Sequence, residues 1–198
     1  MSARVAVHGA TGRLGRLIAA EAGGRYAGPV GRQGAAPDCD VVIDVSTPEG
    51  LAALLPRLTG QPLVVGTTGA LPDLSAYAAR APVAVVANFS AGVPVLLDLA
   101  REAVARLPGW HVEVVEAHHA AKRDAPSGTA KRLIEAIGQD VPAHSLRLGD
   151  TVGEHTVWLA GPGERIELKH VATRREVFAI GALRWADDLL GRAPGIYR

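Results

Sequence analysis

Basic and acidic side chains cluster in one short segment of this 198-residue sequence, residues 118–130, which reads HHAAKRDAPSGTA. His118, His119 and Lys122 lie close together, and Asp124 follows two residues later. Lysine is scarce in the chain, since it occurs elsewhere only at 131 and 169 and arginine supplies nearly all the positive charge. Because an ammonium group can release a proton and a guanidinium effectively cannot, a lysine at position 122 favours proton-transfer chemistry.

The second half of this segment predicts a binding site for an anion. Pro126-Ser127-Gly128-Thr129 is typical of a helix start, with Ser127 as N-cap and no side chain on Gly128 to block close approach. Free backbone N–H groups there, beside Lys122 and the histidines, would bind a carboxylate or phosphate. The alternative is a capped helix after a polar loop in which the histidines bond only backbone groups. A metal site is not predicted, because Cys39 and the dispersed histidines lack recognisable ligand spacing.

A glycine-rich loop near the N-terminus predicts nucleotide binding. Gly9-Ala10-Thr11-Gly12-Arg13-Leu14-Gly15 follows a strand pattern and opens a helix pattern. A dinucleotide fold needs glycines there, because the backbone turns tightly and approaches the pyrophosphate at the helix N-terminus. The spacing is GxxGxxG rather than the commoner GxGxxG, and the alternative is a tight turn without a ligand.

The end of the second predicted strand bears on the choice of nucleotide. It reads Pro29-Val30-Gly31-Arg32-Gln33, without the acidic residue that usually binds the ribose hydroxyls. An arginine there suits a 2′-phosphate, so Arg32 favours NADPH, with NADH possible; alternatively, Arg32 is a solvated surface side chain. Two further loops, Gly66-Thr67-Thr68-Gly69 and Asn88-Phe89-Ser90, follow predicted strands and are candidates for the same ligand or plain strand exits.

The alternation of short apolar runs with helical stretches predicts βαβ units and a parallel sheet in the first half of the chain. Strands are predicted at Val5–His8, Arg25–Val30, Val41–Asp44, Leu63–Gly66 and Val83–Ala87, and helices at Gly12–Ala22, Pro48–Leu58 (starting from Thr47) and Pro72–Arg80. After Ser90 the pattern predicts a separate mixed sheet. Its elements are the helix Val93–Arg106, the strand His111–Ala117, the helix ending near Ile137 and the hairpin strands Glu154–Ala160 and Glu164–Val171, before a last helix at Arg174–Leu190.

Composition excludes several classes of protein. A hydrophobic content of 48% with 21% charged residues is ordinary for a soluble globular protein and argues against disorder or a membrane protein. A net charge of +1 gives no electrostatic footprint for nucleic acid or an anionic membrane. A single cysteine favours a reducing compartment, and the N-terminus lacks a signal-peptide layout, so we expect a cytoplasmic protein.

The sequence resembles the dihydrodipicolinate reductase family over nearly its whole length. The resemblance is carried by GATGRLG at Gly9, VVIDVSTPEG at Val41, VVGTTG at Val64, ANFSAGV at Ala87, VEVVEAHHAAKRDAPSGTAKRL at Val112, VGEHTVWLAGPGERIELKH at Val152 and FAIGAL at Phe178. It implies an α/β protein with a Rossmann-like dinucleotide-binding domain (residues 1–90 with 174–198) and an α+β domain (residues 91–173) whose mixed sheet binds substrate and assembles a homotetramer. The implied reaction is NAD(P)H-dependent reduction of hydroxy-tetrahydrodipicolinate, a small dicarboxylate, in lysine and diaminopimelate biosynthesis.

The resemblance also implies roles for individual residues. His118 would be the general acid and Lys122 the second proton donor, although the sequence does not assign each proton. His119, Gly128 and Thr129 would bind a substrate carboxylate. The cofactor would contact Gly9, Ala10, Thr11, Gly12, Arg13, Leu14, Arg32, Gly66, Thr67, Thr68, Val86, Ala87, Asn88 and Phe89.

The chain departs from the family pattern in two ways. It is shorter than usual, with residues 32–38 and 138–149 looking trimmed, and Gly31 stands where an acidic residue is common, which weakens the case for NADH. Two alternatives stay open: an NADPH-binding redox-sensing regulator, which would not need His118, Lys122 and the Gly128 anion site together, and a dehydrogenase of related architecture acting on an amino or keto acid.

Overall fold

Short Val-rich strands, buried on both faces, form a parallel sheet at the centre of one part of the molecule. The computed structural model describes residues 2–198. The strands of this sheet are β1 (Val5–His8), β2 (Tyr26–Val30), β3 (Val41–Asp44), β4 (Leu63–Val65), β5 (Pro82–Val85) and β10 (Gly195–Tyr197), in the spatial order β10-β5-β4-β3-β1-β2. All five neighbouring pairs are parallel. The predicted α/β class is confirmed.

Helices cover both faces of this sheet. They are α1 (Arg13–Ala22), α2 (Pro48–Leu54), α3 (Ser75–Ala78) and α6 (Glu176–Leu189). One apolar core packs α1 and α6 against Val5, Val7 and Ile43. The other packs α2 and α3 against Ala6 and Val42, the alternate residues of the same strands. Because both faces are covered, these strands are continuous apolar runs without alternation.

A four-stranded mixed sheet forms the core of a second unit. Its strands are β6 (His111–His118), β7 (Ala143–Arg147), β8 (Gly153–Gly161) and β9 (Glu164–Ala172), in the order β7-β6-β8-β9. The β6–β7 pair is parallel and the other two pairs are antiparallel. The helices α4 (Gly92–Arg106) and α5 (Gly128–Ile137) pack on one face of this sheet, in a core that includes Val114, Leu133 and Val157.

The chain therefore divides into two compact units. The first unit comprises the chain up to Phe89 together with Glu176–Arg198, and the second comprises Ser90–Arg175. None of the helices in residues 2–198 combines the length and apolarity that crossing a membrane requires.

Two helices start at the predicted caps. Thr47 caps α2 by accepting a hydrogen bond from the Gly50 N–H at 3.1 Å, and Ser127 caps α5 by accepting one from the Ala130 N–H at 3.2 Å. The prediction of a single helix over Pro48–Leu58 was wrong, because α2 ends at Leu54 and continues as a 3₁₀ turn, Leu55–Arg57, containing Pro56, which has no N–H to donate.

Three other elements differ from prediction. The helix predicted at Pro72–Arg80 is only the single turn α3, because the Asp73 side chain accepts a hydrogen bond from the Ser75 N–H and starts the helix three residues later. The short strands β7 and β10 were not predicted. Neither is Val-rich, and each pairs along only one edge, with β6 and β5 respectively.

Candidate active site

A cavity of about 780 Å³ opens in the first unit at the carboxyl ends of the parallel strands. The chain passes from β1 to β2 on one side and places β3 on the other, so β1 lies at the point where strand order reverses. Open α/β sheets bind ligands at such switch points. The cavity is lined by His8, Gly9, Ala10, Thr11, Gly12, Pro29, Val30, Gly31, Arg32, Val45, Ser46, Thr47, Gly50, Ala53 and Arg57.

The glycines of the loop after β1 are required by the local geometry. Gly9 has φ of +83°, and a Cβ there would lie 2.6 Å from the Val45 carbonyl oxygen. A Cβ on Gly15 would lie 2.2 Å from the Gly9 carbonyl oxygen, so α1 could not start so close to the loop. Gly12 is the N-cap residue of α1, and no side chain caps this helix. The loop therefore leaves the helix N-terminus open to the cavity, which fits the phosphates of a dinucleotide.

A buried carboxylate ties together the strands beneath this cavity. Asp44 is fully buried; its Oδ1 lies 2.7 Å from His8 Nδ1 and accepts a hydrogen bond from Ser46 Oγ at 2.6 Å. Its Oδ2 accepts from Thr67 Oγ1 at 2.6 Å, and Thr67 in turn accepts from the Ser46 N–H. The ends of β1, β3 and β4 are thus held in fixed register where the ligand would bind.

The predicted cofactor residues fall into four groups by position. Gly9 to Gly12 and Arg32 line the cavity, whereas Arg13 and Leu14 lie in the first turn of α1, where Leu14 packs against the core. Gly66, Thr67 and Thr68 follow β4, and Thr67 uses its hydroxyl on Asp44. Val86, Ala87, Asn88 and Phe89 follow β5; Val86 and Phe89 belong to the core, and a Cβ on Gly66 would meet the Phe89 ring at 2.4 Å. The last two groups lie outside the lining of this cavity.

The second unit concentrates polar side chains at one end of its sheet, around Glu116. This carboxylate is fully buried, and Arg147 donates to both of its oxygens, at 2.9 and 3.0 Å. Glu116 Oε2 is hydrogen-bonded to His118 Nδ1, and Oε1 accepts from the Ser127 N–H at 3.3 Å. Burial opposes the charged form, but hydrogen bonds from Arg147, Ser145 and His118 outweigh it and hold the pKa of Glu116 at about 2. Glu116 is therefore a permanent anion that orients His118 and the start of α5.

The register of the sheet brings this cluster together. Glu116 on β6 is paired with Ser145 on β7 and with His155 on β8, and His118 is paired with Arg147. Gly153 leaves room for the imidazole, because a Cβ there would lie 3.2 Å from His118 Nε2. With Nδ1 bound to Glu116, the Nε2 edge is the edge that can donate a proton to a ligand.

The loop between β6 and α5 is held mainly by its backbone. Lys122 donates its N–H to the His119 carbonyl, and Arg147 donates to the carbonyl oxygens of Lys122 and Asp124, at 3.2 and 2.6 Å. The Lys122 ammonium lies 2.8 Å from the Asp124 carboxylate, and this ion pair lowers the pKa of Asp124. The backbone of Lys122 is therefore held in place whether or not its ammonium group forms an ion pair.

Gly128 is the first residue of α5. A Cβ at Gly128 would meet nothing within 4 Å, so packing within the protein does not demand a glycine there. The next residue is Thr129, and His119 is the first residue of the loop after β6. The predicted substrate residues Gly128 and Thr129 therefore lie at one helix N-terminus, next to the Ser127 cap.

Two further histidines extend the cluster. His155 is 3% exposed, its Nε2 lies 3.1 Å from Ser127 Oγ, and its ring meets that of His118 edge-on at 5.2 Å between centroids. Burial, with the neighbouring His118 adding to it, lowers the pKa of His155 to about 4. The pKa of His170 is also lowered by burial, and its Nε2 lies 2.9 Å from Ser90 Oγ. His155 is therefore neutral at pH 7.

Sequence reasoning singled out His118 and Lys122 but missed Glu116, Arg147 and His155. The signal for Glu116 was present: residues 116 and 118 lie two apart on a strand, so both side chains point to the same face. The same alternation applies to His155, which faces Glu116 across the β6–β8 pair. No comparable signal marked Arg147, because its strand was not predicted.

These buried groups make the stability of the fold depend on pH. The pKa of His155 is near its ordinary value of 6.5 in the unfolded chain and about 4 in the folded chain, so the unfolded chain takes up the proton at a higher pH. We expect the free energy of unfolding to fall as pH decreases through this window, by about 2 kcal/mol between pH 7 and pH 5 from His155 alone. Glu116 adds a second decrease in the free energy of unfolding as the pH falls from 4.5 towards about 2, because its carboxylate is protonated at a higher pH in the unfolded chain than in the folded chain.

Urea denaturation at a series of pH values tests this expectation. His155→Gln should flatten the decline between pH 7 and pH 5, leaving the smaller part due to His170. His144→Gln is the matched control, because His144 is exposed, and it should keep the full decline. Parallel curves for the wild type and His155→Gln would contradict the assignment.

Solved structures share this arrangement of elements. A dihydrodipicolinate reductase from Paenisporosarcina sp. TG-14, solved with dipicolinate bound, matches with a TM-score of 0.74 at 22% identity, over 99% of this chain and 97% of its own. An aspartate dehydrogenase from Thermotoga maritima matches with a TM-score of 0.50 at 12% identity, over 98% of this chain and 99% of its own. At these identities the likeness establishes the fold.

The fold and the glycine-loop cavity define the class of this protein: two-unit α/β oxidoreductases that use a nicotinamide nucleotide. Residues 31–89 match the N-terminal model of dihydrodipicolinate reductase and residues 92–198 match its C-terminal model. The 4-hydroxy-tetrahydrodipicolinate reductase of Xanthomonas campestris is 43% identical over 98% of this chain and 95% of its own length, and that of Stenotrophomonas maltophilia K279a is 44% identical over the same shares. The chain belongs to the dihydrodipicolinate reductase family.

The alignment also confirms that this member is short. It spans 226 positions, more than the 198 residues of the chain, so the Xanthomonas relative carries residues that this chain lacks.

Proposed function

We propose that this protein reduces hydroxy-tetrahydrodipicolinate to tetrahydrodipicolinate with NADPH, in the biosynthesis of lysine and diaminopimelate. The observation that carries the proposal is the Glu116 cluster, where one buried carboxylate binds both His118 and the backbone N–H of Ser127 at the start of α5. The curated relatives named above are 4-hydroxy-tetrahydrodipicolinate reductases, which supports the substrate. A redox-sensing regulator would need the glycine loop but not this cluster.

The two units have separate roles in this proposal. The dinucleotide-binding domain is the first unit, up to Phe89 with Glu176–Arg198, and the domain for substrate binding and assembly is the second unit, Ser90–Arg175. The sequence predicts these domains as residues 1–90 with 174–198 and residues 91–173. When bound, the nicotinamide nucleotide supplies the hydride. Gly9 to Leu14 hold its pyrophosphate and Arg32 its 2′-phosphate, and the loops after β4 and β5, residues 66–68 and 86–89, lie along the same strand-end edge.

The second unit binds the substrate and supplies protons. One carboxylate of the substrate binds at His119, Gly128 and Thr129, at the N-terminus of α5, where the helix dipole favours an anion. The reaction consumes one hydride and one proton and releases one water. The hydroxyl leaves as water with one donated proton while the neighbouring carbon releases a proton, and the hydride addition takes a second donated proton. His118 acts as general acid through Nε2, and Lys122 is the second proton donor, released from Asp124 when the substrate carboxylates enter. The Paenisporosarcina reductase binds dipicolinate, which fits a dicarboxylate site.

We also propose that the protein is a cytoplasmic homotetramer assembled through the mixed sheet. The sheet face turned away from α4 and α5 exposes three large apolar side chains: Leu146, Trp158 and Val171. Apolar groups grouped on one sheet face favour burial against another copy.

A coupled assay tests the activity. Dihydrodipicolinate synthase with pyruvate and aspartate semialdehyde would generate the substrate, and NADPH consumption is followed by absorbance. We expect consumption that depends on this protein. If a known reductase consumes NADPH under the same conditions and this protein does not, the proposed activity is wrong, and an amino-acid or keto-acid dehydrogenase becomes the next candidate.

The preference for NADPH rests on Arg32, which lines the cavity and makes no ion pair within residues 2–198. We expect Arg32→Ala to raise the Kd of NADPH by about tenfold or more, since a hydrogen bond to a charged group contributes roughly 1.5–3 kcal/mol, while the Kd of NADH changes little. Fluorescence titration with both nucleotides measures the ratio. An unchanged ratio would remove Arg32 from the 2′-phosphate site.

A further inference from the structure

A second guanidinium lies in the wall of the nucleotide cavity, on the side where β2 ends. Arg57 closes the 3₁₀ turn after α2 and lines the cavity together with Gly31 and Arg32. The lining contains no aspartate or glutamate, so these two arginines leave it with net positive charge. This side of the cavity is where a dinucleotide fold places the ribose of the adenosine.

Arg57 fixes the loop that carries Arg32. Its Nε donates to the Gly34 carbonyl at 2.8 Å, its Nη1 to the Arg32 carbonyl at 3.2 Å and its Nη2 to the Gly31 carbonyl at 2.8 Å. The loop has no helix or strand of its own and its residues 31–35 are exposed, and these three bonds attach it to the turn after α2. One planar guanidinium thus binds three carbonyl groups within four residues of the loop, which an ammonium could not do in the same geometry.

The guanidinium of Arg57 has hydrogen-bond donors left after it has bound the loop. A guanidinium has five N–H donors, and Arg57 uses three of them on neutral carbonyl oxygens. Two donors and the whole positive charge remain, and no carboxylate within residues 2–198 pairs with Arg57 or with the Arg32 side chain. Charge-assisted bonds from arginine to phosphate are among the strongest hydrogen bonds in proteins.

We propose that Arg57 and Arg32 form one anion subsite for the 2′-phosphate of the cofactor, in which Arg57 both places the Arg32 loop and contributes charge. Arg57 is therefore a specificity-determining residue for NADPH. This inference rests on the proposed function, because it assumes that the cavity takes a nicotinamide nucleotide. In this proposal the 2′-phosphate binds both Arg57, in the turn after α2, and Arg32, in the loop after β2, and not Arg32 alone.

Calorimetric titration of the full chain with 2′,5′-ADP and with 5′-AMP tests the subsite without any turnover. We expect Arg57→Ala to weaken binding of 2′,5′-ADP by about tenfold or more and binding of 5′-AMP by no more than about twofold. Arg57→Lys keeps a charge but loses the three-carbonyl bridge, so it should recover only part of the loss. Arg184→Ala removes a charge from the exposed face of α6 in the same unit, outside the cavity, and should change neither affinity.

Three results would overturn the subsite. They are equal losses for both probes in Arg57→Ala, which would indicate a purely structural role, no loss at all, and wild-type protein that does not prefer 2′,5′-ADP. Full recovery in Arg57→Lys would overturn the bracing role. Steady-state kinetics separate this inference from the proposed activity. Reductase turnover without selectivity for NADPH would contradict only the 2′-phosphate subsite. Selective binding of 2′,5′-ADP without turnover would contradict only the proposed activity.

Discussion

Replacing Lys122 with alanine is expected to lower kcat by about 10²- to 10⁴-fold, the usual contribution of a positioned proton donor. The fold should tolerate the change, because the loop is held through the backbone of Lys122 by His119 and Arg147 rather than through the ammonium group. The Kd of NADPH should stay within about twofold, since the nucleotide cavity is lined entirely by the first unit.

Stopped-flow single-turnover assays and fluorescence titration measure the two quantities separately. Lys131→Ala is the matched control, because Lys131 is exposed on α5 and should keep wild-type kcat. A large rise in the Kd of NADPH with little change in kcat would contradict the division of labour between the two units. Removal of the ammonium also frees Asp124, so Lys122→Ala combined with Asp124→Asn should show whether a free carboxylate adds to the loss.

Replacing Arg147 with methionine is expected to lower the free energy of unfolding by roughly 3 kcal/mol or more. Breaking a buried ion pair from one side costs this much because the remaining charge is buried without compensation. Here the remaining charge is Glu116, which is fully buried and would lose two hydrogen bonds. The carbonyl oxygens of Lys122 and Asp124 would lose their donor as well, so the β6–α5 loop should become mobile.

Urea denaturation at pH 7 measures the effect, and a double variant separates its causes. Glu116→Gln combined with Arg147→Met removes the uncompensated charge and should recover part of the stability. Arg101→Met is the control, since Arg101 forms an exposed ion pair with Asp98 worth less than about 1 kcal/mol. If Arg147→Met were no more destabilising than Arg101→Met, the carboxylate of Glu116 would have to be neutral in the folded protein.

The parallel sheet was largely predictable because its signals are local. Strands buried on both faces are runs of Val, Ile and Leu, and the glycines at 9, 12 and 15 mark one strand-to-helix turn. The caps at Thr47 and Ser127 involve contacts only three residues apart, so the sequence carries them directly. Strands β7 and β10 escaped prediction, because what makes them strands is pairing with a partner elsewhere in the chain.

The candidate site was predictable to a smaller extent. The segment with His118 and Lys122 could be recognised from residue types and spacing, but its supporting shell could not. Arg147 and Glu116 are hydrogen-bonded although they lie 31 positions apart in the sequence. Asp44 is hydrogen-bonded to His8 and to Thr67, which lie 36 and 23 positions from it. Contacts of this kind are decided by register and strand order, which composition and periodicity do not encode.

The pairing of Glu116 with His155 and of His118 with Arg147 makes the proposed chemistry depend on the register of β6. A slip of one residue would turn both acidic and basic groups to the opposite face of the sheet, where Trp158 now lies. Such a chain would bury alanine and valine at the reacting end and have no proton donor to offer. If His118 is the proton donor, as we propose, a misregistered molecule would therefore be inactive rather than merely slow.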